Sequence, residues 1–237
     1  MTESAKGCKN GYSGRAFGAV RETKATQKEK KKFMSCEDST AKDERSLSLE
    51  GKVVRLEPLH REHTPLLWKA AKEHLNDIFR WIPYAMRTAE EFQNGVDKIL
   101  QEQAQGQSLA FATIARSSGQ VIGSTRFMNM DLANRRVEIG STWIAPAWQR
   151  TAVNTEAKYL MLCHAFERWG CLRVELKTDS LNQKSRNAIL RLGAKEEGTL
   201  RQHMVTWDGR RRDSVYFSIL DTEWPAVKRE LETKLGA

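Results

Sequence analysis

Apolar positions change period several times along the chain, and each change marks an element. Val53, Val54, Leu56 and Leu59 pattern a first strand in a folded part that begins near Leu47. Helical spacing then runs from about His63 to His74 and breaks at Arg80-Trp81-Ile82-Pro83-Tyr84. Thr88-Ala89-Glu90-Glu91 reads as a capping box, a hydroxyl and a carboxylate that satisfy helix-end N–H groups, and opens a second helix to about Gln103. Leu109 to Ala115 and Val121 to Met130 read as strands around Ser117-Ser118-Gly119, and Arg136 to Ile144 extends this antiparallel meander.

Helical spacing returns from Asn154 to Trp169, with Ala157, Leu160, Met161 and Ala165 apolar and Gly170 as the C-cap. Leu172 to Thr178 is a strand, and Asn182 to Leu192 is a short helix ended by Gly193. Two last strands, near Glu197 to Trp207 and Ser214 to Leu220, flank the hairpin signal Asp208-Gly209. A terminal helix runs from Thr222 through Trp224 to Leu235, and no internal repeat is evident.

Composition narrows this picture to one domain with appendages. In a chain of 237 residues, 40% hydrophobic side chains with seven tryptophans can fill one core. That domain is assigned to residues 47–221, with residues 222–237 as a helix packed on it or extending from it. Residues 1 to 46 have too few aliphatic side chains to offset their ordering entropy and are read as a disordered tail, its Lys28 to Lys32 cluster as a solvated charge run. Cys8, Cys36, Cys163 and Cys171 show no C-x-x-C and no histidine partners at ligand spacing, so neither a metal site nor a disulfide framework is expected and a reducing cytoplasm is the simplest home. No apolar run approaches the roughly 18 residues of a membrane span. Net charge +9 suits a nucleic acid, a ribosomal neighbourhood or a polyanionic cofactor. Aromatic residues are not interleaved with arginines in a recognition pattern, so direct nucleic-acid binding is not expected.

Trp143 to Ala157, W-I-A-P-A-W-Q-R-T-A-V-N-T-E-A, stands between a strand and a helix. The first N–H groups of a helix have no partner within it, and with the helix dipole they favour an anion there. A plain connector is the other reading of the same residues. The stretch is neither a Walker A loop nor a three-glycine dinucleotide fingerprint. It resembles the coenzyme A pyrophosphate loop of the GNAT acetyltransferases, Gln/Arg-x-x-Gly-x-Gly/Ala, as Gln149-Arg150-Thr151-Ala152-Val153-Asn154. Thr155-Glu156-Ala157 follows, as it often does in the branch of bacterial ribosomal-protein N-terminal acetyltransferases. Ala152 and Asn154 stand where glycine or alanine is usual, and either is strained if its φ is positive. The order of elements over about residues 50 to 221 is also that of the GNAT fold.

The resemblance implies an α/β (α+β) fold: a central, mostly antiparallel sheet, splayed beside the cradle strand and flanked by helices. It implies acetyl-CoA as co-substrate, no metal, and backbone at Ile144 and Ala145 that pairs with the pantetheine arm. Gln149 to Thr155 would hold the pyrophosphate. Asn182 and Ser185, in an Asn-x-x-Ser helix start before Leu192-Gly193-Ala194, would contact the cofactor, although capping alone accounts for asparagine there. A tyrosine that often serves as general acid on that helix is replaced by Ile189. Trp81 and Tyr84 fall where the family builds its substrate wall, with core anchoring as the other reading of Trp81.

Acetyl transfer to an amine needs an unprotonated nucleophile, and α-amines titrate about two units below lysine, so a peptide N-terminus asks less of a base. Glu138, in Glu138-Ile139-Gly140-Ser141-Thr142-Trp143, is the candidate base and Ser141 a candidate hydrogen-bond partner for the leaving sulfur or the substrate. A solvent-facing strand glutamate and a structural hydroxyl are their other readings. Simple alternation puts the two on opposite faces, and only a bulge brings them together. Backbone N–H groups near Ile144 suit the oxyanion. Arg210, Arg211 and Arg212 read as a solvated turn that also suits an acidic substrate or RNA, and the five histidines form no H-E-x-x-H and no triad. The expected activity is acetyl-CoA-dependent acetylation of a primary amine, with a protein or peptide N-terminus such as a ribosomal one as the acceptor, by a monomer or homodimer. A small-molecule amine acetyltransferase or a catalytically weak acyl-CoA-binding module is the alternative.

Overall fold

A computed structural model describes residues 46–236. The expectations for the tail, including Lys28 to Lys32, lie outside them. Eight strands form one sheet, β1 (Leu49–Glu50), β2 (Val54–Pro58), β3 (Ser108–Ala115), β4 (Val121–Asp131), β5 (Arg136–Ile144), β6 (Arg173–Asp179), β7 (Lys195–Val205) and β8 (Arg211–Leu220), in the order β1-β2-β3-β4-β5-β6-β8-β7. The helices are α1 (Thr64–Ala71), α2 (Leu75–Phe79), α3 (Ala89–Ala104), α4 (Ala152–Cys163), α5 (Gln183–Arg191) and α6 (Trp224–Leu235).

Neighbouring strands are antiparallel except β5 and β6, whose parallel pairing runs only from Arg136↔Arg173 to Glu138↔Glu175. Beyond Glu138, β5 is left without a ladder partner on that side, so the sheet splays beside the cradle strand as the resemblance implied. On its other side β5 pairs with β4, and the register slips between Ser124 and Arg126, which face Trp143 and Gly140. Three steps along β5 oppose two along β4, which makes a β-bulge, and Ser141 within it has φ +48°.

The bulge sorts the side chains of β5 between two cores. Val137, Ile139 and Ile144 join Val153, Ala157 and Met161 of α4 and Leu231 of α6 on one face. Trp143 joins Phe79 of α2 and Phe92 and Val96 of α3 on the other, meeting Phe79 edge-on with ring centroids 5.5 Å apart. Burying a side chain of this size contributes about 2–3 kcal/mol, so each face anchors its helices independently.

Local chemistry sets the element ends. Thr88 accepts the Glu91 N–H at 3.1 Å, as a capping box requires, but Glu91 reaches back to the Arg87 N–H at 2.7 Å and not to that of Thr88. The helix expected over His63 to His74 is α1 followed by a 3-10 turn at Lys72–His74, and α2 begins only after it, at Leu75. The helix expected from Asn154 opens two residues earlier, where the Thr151 hydroxyl caps the Val153 N–H at 3.3 Å, and it ends through a π turn at His164–Arg168 before Gly170 at φ +64°. β8 begins three residues earlier than expected, at Arg211, whereas β7 begins and ends two residues earlier, at Lys195 and Val205, with bulges near Gly198 and between Leu200 and Met204. Among the described residues, no helix is long and apolar enough to cross a membrane.

Candidate active site

The stretch read as a cradle runs into the first turn of α4. Ala152 and Asn154 lie within the helix and are not among the described residues with positive φ, so the strain considered for them falls instead on Arg150, at φ +62°. Alanine and asparagine are therefore compatible with the backbone they occupy. Val153 is 3% exposed and belongs to the core, leaving only its capped backbone at the surface, while the Thr151 hydroxyl donates to the Trp148 carbonyl at 2.7 Å. Geometry leaves the remaining N–H groups of this turn without acceptors in the helix. Thr155 and Asn154 are half-buried beside them.

Ile144 and Ala145 differ. The Ala145 N–H donates to the Ile122 carbonyl at 2.7 Å and the Ala145 carbonyl accepts from Trp148 at 2.9 Å, so its backbone is committed, contrary to expectation. Alternation in the ladder then turns Ile144 toward the splay. Its carbonyl accepts from the Gln149 side-chain amide at 2.7 Å, and Lys184 of α5 donates to the Gln149 side-chain oxygen. Gln149 thus spans the mouth of the splay instead of turning its side chain into the cradle. Across that mouth Asn182 caps α5, accepting the Ser185 N–H at 3.1 Å.

On the opposite face the bulge brings Glu138 and Ser141 together. Glu138 pairs across the ladder with Met128, and the Ser141 hydroxyl lies 4.0 Å from the Met128 sulfur. Glu138 is 2% exposed, and its Oε2 accepts from Asn129 Nδ2 at 2.7 Å and Lys177 Nζ at 3.0 Å. Gly140 makes room for this carboxylate, since a Cβ there would lie 3.1 Å from Glu138 Oε1 and 2.8 Å from the Met128 sulfur. Ser141 Oγ accepts from Arg126 Nε at 3.1 Å and donates to the Met128 sulfur only over a long 4.0 Å contact, and Arg126 is held in turn by Glu102 of α3. Two clefts open on this face. One of about 690 Å³ is lined by Glu138, Asn129, Glu175 and Tyr216, and one of about 290 Å³ by Tyr84, Glu102 and Arg126.

Trp81 borders this face through its arginines. Arg80 and Arg210 stack on its ring at 4.9 and 5.6 Å, and Arg212 donates to its carbonyl at 3.2 Å. The solvated turn expected for the three arginines holds only for exposed Arg211. Arg212 is 6% exposed, and both Arg210 and Arg212 converge on buried Asp179 of β6. A buried carboxylate draws guanidinium partners because an unpaired one would keep a large desolvation cost.

Sequence reasoning missed several groups here. Asn129, Lys177 and Arg126 carry no motif, and only the sheet register brings them to Glu138 and Ser141. His203, read as a surface or core residue, shares the face and bonds Ser214 Oγ at 3.0 Å, and burial lowers its pKa with help from Lys177 and Arg212. Two buried charges on α4 were missed as well. Glu156 accepts the N–H groups of Lys52, Val53 and Val54 at 2.7–2.8 Å. Lys158 lies beneath the bulge, donating to Thr125 Oγ1 at 3.0 Å and to Thr142 Oγ1. Helical spacing from Met161 points to Lys158 as core-facing, which was a usable signal.

Comparison with known proteins places this geometry. The profile of the acetyltransferase (GNAT) domain matches residues 54–195, more than half of the chain. The chain belongs to the GNAT acetyltransferase family. It is 34% identical over 110 residues to the Bacillus subtilis protein named "Putative ribosomal N-acetyltransferase YdaF", a match covering 46% of this chain. The chain spans 59% of that relative's own length. A GCN5-related N-acetyltransferase from Brucella melitensis is 37% identical and superposes with a TM-score of 0.73, covering 79% of this chain and 85% of that one. Mycobacterium smegmatis RimJ, solved with CoA-disulfide, shares the fold at 21% identity and a TM-score of 0.70, with 81% and 96% covered.

Proposed function

We propose that this GNAT chain is an acetyl-CoA-dependent N-acetyltransferase whose acceptor is a primary amine at a protein or peptide N-terminus. One observation carries the reading: the bulge turns Glu138 and Ser141 to one open face, while the same strand offers Ile144 to the splay behind it. The residues present suit coenzyme A. The first turn of α4, Thr151 to Thr155, would receive the pyrophosphate, and Arg150 adds a positive charge beside it. The Ile144 carbonyl, which already accepts an amide, suits a pantetheine amide, and Asn182 with Ser185 closes the far side.

Acetyl-CoA supplies the acetyl group as a thioester and leaves as a thiol. The amine reaches it from the cleft of about 690 Å³ that Glu138 lines. Glu138 takes the amine proton directly or through a water, and Asn129 with Lys177 fixes the direction of its carboxylate. The Ser141 hydroxyl, its oxygen engaged by Arg126, would swing its proton from the long Met128 contact toward the departing sulfur. Backbone N–H groups near Ile144 need no rearrangement to meet charge developing on the carbonyl oxygen. An α-amine fits because a substantial fraction is unprotonated near neutral pH, and the name of the Bacillus subtilis relative supports a protein acceptor.

Thiol release from acetyl-CoA across a panel of peptides and small amines tests the reading. Turnover of peptides with free N-termini is expected, together with a drop of about 100-fold in kcat for Glu138→Gln at unchanged acetyl-CoA affinity. Tight cofactor binding without turnover of any amine would make the chain a binding module. Turnover of small amines alone would move the acceptor class, and an unaltered pH–rate profile in the variant would remove Glu138 as base.

A further inference from the structure

Lys158 is a buried cation-forming group that the proposed reaction leaves unused. It is 4% exposed, it stands two turns into α4, and it takes part in none of the salt bridges among the described residues. Its amine meets two hydroxyls from two different strands, Thr125 of β4 and Thr142 of β5, which are themselves 2.8 Å apart. Thr142 follows the inserted residue Ser141, and its hydroxyl lies 3.4 Å from the Gly140 carbonyl, so it spans the bulge. Thr125 in turn contacts the Met161 sulfur at 3.6 Å, back on α4.

The count of N–H donors favours one protonation state. Two hydroxyl oxygens match the two N–H groups of a neutral amine, whereas an ammonium brings a third donor for which the described contacts show no acceptor. Burial favours the same state, lowering the pKa to about 7. Packing alone would be met at less cost by a methionine or leucine, since burying an unpaired amine is expensive. What an apolar side chain could not do is tie β4, the bulged β5 and the cradle helix together at one atom. Ser141, held at φ +48°, is the strained residue such a tie would secure.

We propose that Lys158 is a positioning residue for acetyl transfer, reaching from the cradle helix to Thr142 and holding the β5 bulge so that Ser141 and the neighbouring backbone N–H groups keep their directions. The proposal rests on the acetyltransferase reading only for its kinetic half. The test uses the full chain with Lys158→Met, Thr142→Val, Thr142→Ser and the double variant Lys158→Met with Thr142→Val. Lys158→Met is expected to fold, to bind acetyl-CoA within about twofold of wild type, and to lose about tenfold or more in kcat. Amide hydrogen exchange at Thr142 and Trp143 is expected to quicken in it. The double variant should fall no further than either single one, and Thr142→Ser, which keeps the hydroxyl, should retain activity. Unchanged kcat, additive losses, or a kcat loss matched by lost cofactor affinity would overturn the positioning role. If the wild type acetylates no amine, the functional reading fails, and the exchange measurement still decides whether Lys158 secures the bulge. A Lys158→Met that does not fold transfers the decision to Thr142→Val and Thr142→Ser, which must then separate in both kcat and exchange.

Discussion

Helix α4 buries two ionisable side chains two residues apart, and the protein treats them in opposite ways. Glu156 receives three backbone N–H groups from the β1–β2 turn, and a Cβ on Gly51 of that turn would lie 2.3 Å from its carboxyl carbon. Lys158 receives two hydroxyls and no countercharge. A carboxylate surrounded by oriented N–H dipoles is compensated and rigid, and locks one end of the sheet to the helix. An amine left to desolvation is uncompensated, which costs stability beside the bulge that shapes the proposed site. The contrast suggests that α4 secures the fold with one charge and spends stability on function with the other.

The largest break in this comparison comes from Glu156→Ala. It leaves three backbone donors without their acceptor, and a loss of about 3–5 kcal/mol in urea unfolding is expected, with acetyl-CoA affinity of the folded fraction unchanged. A loss below about 1 kcal/mol would mean that water replaces the carboxylate and that the turn is not held by it.

Lys158 predicts a pH dependence with a definite sign. Its folded pKa is lowered, to about 7 from 10.5, by burial, and among the described residues no charged side chain offsets this. The partners facing it are Thr125 of β4, Thr142 of β5 and, through Thr125, Met161 of α4. Between those two values the unfolded chain binds the extra proton, so stability rises with pH across that window and the dependence disappears below it. From pH 7 to pH 9 the gain is about 2 kcal/mol, and Lys158→Met removes it. Parallel stability curves for wild type and variant over that range would show that the amine is charged in the folded state.

The cradle itself should respond to charge with little change in fold. Ala152 is exposed at the first position of α4. Ala152→Glu places a carboxylate where a helix dipole welcomes one, so stability holds or rises slightly, while acetyl-CoA affinity falls about tenfold or more through repulsion of the pyrophosphate. Calorimetric titration separates the two effects, and unchanged affinity would remove the first turn of α4 as the anion site.

How far the sequence could reach follows from the same residues. The order of strands and helices and the capping at Thr88 were legible because each rests on local periodicity or on a short motif, while the splay came only through the family resemblance. The face of Ser141 was legible only as a condition, because alternation counts residues on one strand and a bulge is a mismatch between two. Arg210 and Arg212 looked solvated because Asp179, which draws them in, lies 31 residues before Arg210 and carries no motif. Glu156 sat inside a recognised signature, Thr155-Glu156-Ala157, yet its partners are more than 100 residues away. Contacts between residues far apart in the chain, the bulged pairing of β4 with β5 and the buried ion pairs alike, are what the sequence kept hidden.

The smallest effect is the most discriminating for the departures from the glycine pattern. Ala152 is helical, so Ala152→Gly relieves no strain and gives up a little helix propensity at an end position. Acetyl-CoA affinity should stay within about twofold and stability within about 0.5 kcal/mol. A tenfold tightening would mean that the phosphate approaches the Ala152 Cβ closely enough to be crowded by it, and that bulk rather than backbone conformation limits this cradle. The Arg150 position, where φ is positive, then supplies the control: Arg150→Gly removes strain and charge together, so stability should rise while affinity falls. Affinity that stays level or rises in Arg150→Gly would show that Arg150 contributes no charge to the bound anion.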